Sequence, residues 1–191
     1  MMSRGPHRVA VLALPAVIPL ELGIAAEIFG RDPHYRLTVC ADGRSAPLPG
    51  SGLTVNTPAG LEGLERADTL IIPGYEDADA TVSTAVLDAI RAAHARGARL
   101  VSICTAAFAL AAAGVLDDRP ATTHWRWTAE LQDRYPKIVL KAQSRRRSRI
   151  DGRSLGGIGR LLPGSNARVL VEAIQSRYRS GGHPRCTTRR L

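Results

Sequence analysis

Aromatic residues make up only 4% of this 191-residue chain, and cysteine occurs three times, at Cys40, Cys104 and Cys186. An odd number of widely spaced cysteines argues against a disulfide framework and for a reducing compartment. No apolar run reaches the ~18 residues that a membrane-spanning helix needs. Arg4, His7 and Arg8 precede an apolar stretch, but Glu21 and Glu27 follow it without a convincing cleavage site, so no signal peptide is expected. The expectation is a cytoplasmic protein. The sequence also lacks a phosphate-loop glycine pattern, a dinucleotide-binding glycine pattern and cysteine/histidine metal spacing, so no cofactor or metal is expected.

The net charge is +9, but it is unevenly placed. Residues 141–191 hold 13 of the 26 Lys and Arg and two of the 17 acidic residues, Asp151 and Glu172, leaving 13 bases and 15 acids for residues 1–140. The first part reads as an ordinary globular domain. The last quarter reads as a basic, atypical tail. Any binding of nucleic acid by this chain rests on that tail alone, and Tyr178 is its single aromatic residue. Counterion release there would give only weak, salt-sensitive affinity.

Apolar strands alternate with amphipathic helices through residue 140. Arg8 to Leu14 is a continuous apolar run of the kind buried on both faces of a sheet. Pro19 to Gly30 has helical spacing, with proline at its start and glycine at its end. Strands follow at Arg36 to Cys40, Asp68 to Pro73 and Arg99 to Ile103, and helices at Val82 to Arg96, Thr105 to Ala113 and His124 to Tyr135. Residues 42–60 are rich in glycine and proline, leaving room for one short strand at Leu53 to Val55; another is expected at Ile138 to Leu140. This alternation predicts an α/β flavodoxin-like three-layer sandwich, a mostly parallel sheet with helices on both faces. In the tail, only residues 167–178 have helical spacing, and residues 179–191 have the composition of a disordered segment.

Cys104 falls between an apolar strand and a helix. There a tight turn exposes the side chain, and the helix N-terminus favours a thiolate. The same position also suits a buried, inert thiol. Glu21 opens the helix after the first strand, on the sheet edge where ligands of such folds bind. It either orients the thiol or simply complements the helix dipole. His124 is a proton shuttle for Cys104 or a helix-start histidine beside Thr123, read as the N-cap. Gly74, after a buried strand, brings its N–H near the thiol, forming an oxyanion hole with that of Thr105, or is a plain turn glycine. Trp125 and Trp127 read first as core residues, with a pocket rim or dimer contact as the alternative.

The segments LELGIAAEIFG (20–30), IIPGY (71–75) and SICTAAFALAAAGVLDDRPATTHW (102–125) resemble the PfpI, or class I glutamine amidotransferase-like, superfamily. More narrowly they resemble the N-terminal domains of AraC-type transcription regulators. The resemblance covers roughly residues 8–140 and implies a nucleophile elbow at Cys104, with Glu21 and His124 beside it and Gly74 and Thr105 at oxyanion-hole positions. In the regulator branch it implies an unknown small-molecule ligand, a homodimer, and DNA contact through helix-turn-helix motifs not found in this sequence. In the enzyme branches it implies a cysteine-dependent hydrolase or hydratase acting on amides, peptides or isonitriles, or glyoxalase-type chemistry. Ala106 stands where the regulators commonly have glycine, narrowing the pocket floor.

The regulators' L-T-S-A-G strand–turn–helix is replaced here by Arg, Ser and Gly. Residues 182–190 (GHPRCTTRR) can be back-translated so that the frame one base later reads ATRVARRV, resembling the family's own helix near the end of this domain. This reading makes the chain a frameshifted, truncated regulator whose tail is basic by accident. Sequencing the gene should reveal family sequence downstream in another frame; finding none would overturn it.

Overall fold

The computed structural model describes residues 5–140. The expected tail of residues 141–191, its helix at 167–178 and the frameshift reading lie outside these residues.

Four parallel strands form the central sheet: β1 (His7–Leu12), β2 (Tyr35–Cys40), β5 (Thr69–Ile72) and β6 (Arg99–Ser102), in the order β2-β1-β5-β6. The register places Val11 opposite Val39 on one side and opposite Ile71 on the other, and Ile72 opposite Ser102. Side-chain alternation divides the core in two. Val9, Val11 and Ile71 face helix α1 (Pro19–Arg31) through Ala25. Ala10, Leu12, Leu70, Ile72 and Leu100 face the opposite layer, with Val86 and Ile90 of α2 (Thr84–Ala95) and Leu110 of α3 (Ala107–Ala112). This is the expected flavodoxin-like arrangement of a mostly parallel sheet between helical layers.

Local signals account for the helix limits. Proline occupies the first turn of α1. Ser83 caps α2 by accepting the N–H of Val86 at 3.3 Å, and Gly97, at φ 85°, ends it in the left-handed conformation.

Three expectations change. Residues 42–60 contain two strands rather than one, an antiparallel hairpin of β3 (Ser45–Leu48) and β4 (Leu53–Asn56). Ala46 and Leu48 seat it on Val17, so tertiary packing creates strands where the glycine and proline content read as loop. Pro120–Ala121 forms β7, pairing in parallel with β8 (Val139–Leu140). The helix expected over His124 to Tyr135 opens instead with a 3₁₀ turn at Trp125–Trp127, and only Thr128–Arg134 is α-helical (α4).

Leu110, on the helix that follows Cys104, is almost completely buried in the core. Leu110→Ala is expected to lower stability by about 2–5 kcal/mol, measured by urea denaturation.

Candidate functional site

Ile103 separates β6 from the turn at Cys104, and its N–H still donates to the carbonyl of Ile72 at 3.0 Å. The chain must then reverse within one residue. Cys104 does this at φ 53°, in the left-handed region that non-glycine residues rarely occupy. Such a residue costs on the order of 1–3 kcal/mol and persists only where its surroundings enforce it. The 3₁₀ turn Cys104–Ala106 and α3 follow directly. Ala106 is completely buried in the core.

The structure brings Glu21, Gly74, Cys104 and Thr105 into one cluster. The N–H of Gly74 donates to Glu21 Oε2 at 2.6 Å. A β-carbon placed on Gly74 would lie 2.7 Å from that oxygen, 3.1 Å from Thr105 Oγ1 and 3.2 Å from the Cys104 β-carbon. Glycine is therefore required at position 74 for close approach rather than for an unusual turn. The Thr105 hydroxyl donates to the carbonyl of Tyr75 at 2.7 Å and lies 2.9 Å from the N–H of Tyr75, which it accepts. The β1–α1 loop closes the third side, where Ile18 N–H donates to Gly74 C=O at 2.8 Å and Glu76 N–H to Ala16 C=O at 3.0 Å.

The electrostatics differ from those of a poised thiolate. Burial, and secondarily the Glu21 carboxylate, push the Cys104 thiol up from 9.0 to about 11, although the Thr105 N–H and hydroxyl favour the ionised sulfur. Glu21 is only 6% exposed, and burial raises its pKa against the lowering effect of the Gly74 N–H. The helix N-terminus alone therefore does not set the state of the thiol, because desolvation dominates. Gly74, expected to lend its N–H to an oxyanion, already donates it to Glu21.

His124 is bonded within its own turn. Its Nδ1 accepts the N–H of Arg126 at 3.3 Å, so the histidine caps its own turn, and burial with Arg126 nearby lowers its pKa. The cap expected at Thr123 is thus made by His124. Thr123 is completely buried and donates its hydroxyl to the carbonyl of Cys104 at 2.9 Å, tying the His124 segment to the elbow. Sequence reasoning missed that role, although the Thr122-Thr123-His124 run marked the place. It also missed Tyr75, which is buried, and Ser102, whose buried hydroxyl has no hydrogen-bond partner among the described residues. The tryptophans divide. Trp127 packs edge-on against Phe108 at 6.3 Å, whereas Trp125 is 67% exposed and lies beside the His124 ring. No group of His, Cys, Asp and Glu able to hold a metal ion is found among the described residues.

The chain is similar to known proteins in sequence and in fold. The profile of the DJ-1/PfpI family matches residues 7–145. An uncharacterized Streptomyces lividans protein from the cpoL 5′ region is 36% identical over 140 residues, 71% of this chain and 99% of that protein. The HTH-type transcriptional regulator GbdR of Pseudomonas aeruginosa is 30% identical over 150 residues, 74% of this chain; the regulator CdhR of the same species is 34% identical over 126, or 65%. The chain spans only 40% and 36% of those two regulators. The crystal structure of an AraC family transcriptional regulator from Pseudomonas putida superposes with a TM-score of 0.58 at 26% identity, covering 73% of this chain and 78% of that one.

Since Cys104 ionises only toward pH 11, its alkylation by iodoacetamide should keep accelerating above pH 9 with no plateau near neutrality. Glu21→Gln removes the neighbouring negative charge and should move the profile to lower pH. Mass spectrometry of the Cys104 peptide checks both. By these combined measures of sequence and fold, the chain belongs to the DJ-1/PfpI family.

Proposed function

We propose that this chain is the small-molecule-sensing domain of an AraC-type transcriptional regulator, working as a homodimer in the cytoplasm. DNA contact would belong to helix-turn-helix motifs not found in this sequence. The observation that carries the reading is similarity to several HTH-type regulators, including GbdR and CdhR. The site supports it. A raised thiol, a Gly74 N–H already bonded to Glu21 and a His124 that caps its own turn suit reversible binding better than acyl transfer. The described residues include no helix long and apolar enough to cross a membrane.

The backbone of Cys104 favours a second reading, a cysteine-dependent hydrolase or hydratase, because a positive φ at the head of a helix is the geometry of an elbow nucleophile. Cys104 would attack an electrophilic carbon, the N–H groups of Thr105 and Gly74 would stabilise the resulting anion, and His124 or Glu21 would move the proton. Glu21 must first release Gly74 for this to occur.

A thermal-shift screen of the whole chain against small metabolites separates the two readings. Under the first, a compound at ~100 times its Kd adds about 2.7 kcal/mol of stability, and Cys104→Ala retains the shift. Under the second, amide or isonitrile substrates are turned over and Cys104→Ala abolishes turnover while the fold remains intact.

A further inference from the structure

The segment from Gly74 to Asp79, between β5 and α2, forms one wall of the Cys104 site. Its first half is held by the side chains of Glu21 and Thr105 and by backbone groups of the β1–α1 loop. Its second half is anchored by the buried Ala78 and, from outside, by Arg134 at the end of α4. The guanidinium donates from Nη1 to the carbonyl of Ala78 at 3.2 Å and pairs with Asp79. It also donates from Nε to Glu130 at 2.9 Å, and its carbon centre lies 5.5 Å from the centroid of the Phe108 ring. Phe108 is on α3, four residues beyond Cys104.

Arg134 therefore touches three pieces of structure that frame the site. These are the wall that carries Gly74, the helix that carries the elbow and the helix that follows His124. Tyr75 is buried, and burial first, then Tyr135, raises the pKa of its hydroxyl while Arg134 lowers it. The charges alone do not explain this arrangement, since ion pairs of half-exposed side chains are weak and screened. Arginine's planar fork does explain it. It reaches a carbonyl and carboxylates at once while its face lies on an aromatic ring, which a lysine ammonium cannot do.

We propose that Arg134 is a positioning residue for the Cys104 site, fixing the Gly74–Asp79 wall against the elbow helix and so setting access to the thiol. The inference rests on the reading of this pocket as the functional site, but its test needs neither ligand nor turnover. Released from Arg134, the Ala78–Asp79 end of the wall can loosen while the bonds at Gly74 and the central sheet stay intact.

The test is alkylation of the whole chain by iodoacetamide at fixed pH, with the Cys104 and Cys40 peptides quantified separately. Cys40 ends β2, fully buried and outside the wall, and so reports general loosening. Arg134→Ala is expected to speed alkylation of Cys104 by about fivefold or more while leaving Cys40 unchanged, because local opening is independent of global unfolding. Arg134→Lys should give a smaller increase at Cys104 alone, and it carries the test if the alanine variant does not fold. An equal rise at both cysteines would make Arg134 merely structural, and no change at Cys104 would mean that the wall stands without it; either result overturns the proposal. A failed ligand screen with a selective Cys104 response would count against the sensing function and not against the positioning role.

Discussion

The hydrogen bond from Gly74 to Glu21 is the constraint around which the site is assembled. It joins the first helix to the end of the third strand of the central sheet in chain order, across 53 residues of sequence. A 2.6 Å contact between a backbone N–H and a buried carboxyl oxygen leaves no room for a side chain at position 74. It also fixes where α1 begins, because Ile18 bonds to the carbonyl of the same glycine. With both the N–H and the C=O of Gly74 engaged, the elbow has a fixed point to stand against, and Cys104 can be held in a backbone conformation it would otherwise leave.

Burial and charge then act in the same direction on the thiol. Desolvation penalises the thiolate, and the carboxyl group of Glu21 adds to that penalty whenever it is ionised. Glu21 itself is pushed toward the neutral form by burial, while the Gly74 N–H favours its anion. The two groups thus share a strong preference for carrying little negative charge between them. A ligand that supplies positive charge or hydrogen-bond donors to this spot would relieve that preference, which is how a small molecule could change the site without forming a covalent bond.

Much of this fold was legible because its signals are local. The apolar run around Val9 and Val11, the proline at the head of α1 and the glycine after α2 each follow from residues within one turn or strand. The elbow was legible too, from Cys104 between β6 and an alanine-rich helix. What stayed hidden depends on residues distant in sequence. The hairpin β3–β4 exists because Ala46 and Leu48 find Val17, which no local pattern shows. The Thr123 hydroxyl reaches Cys104 only because the chain returns to the elbow after α3. The ionisation of Cys104 stayed open for the same reason. The dipole at a helix start is visible in sequence, but the burial that outweighs it is a property of the packed molecule. Trp125 and Trp127 are two residues apart, and only the 3₁₀ turn explains why one reaches Phe108 and the other meets solvent.

The central position of β1 has a consequence for how the protein is made. The strand nearest the N-terminus is hydrogen-bonded to β2 on one side and β5 on the other, so it lies inside the sheet. Parallel neighbours cannot be supplied by a tight turn, and each must return through a crossover. During synthesis β1 can pair early with β2, but its other edge stays unsatisfied until residues 69–72 have emerged, and the elbow must wait for residues 99–102. The apolar strand that anchors the finished core is thus the one exposed longest on the ribosome, and that interval is when a chaperone would matter most.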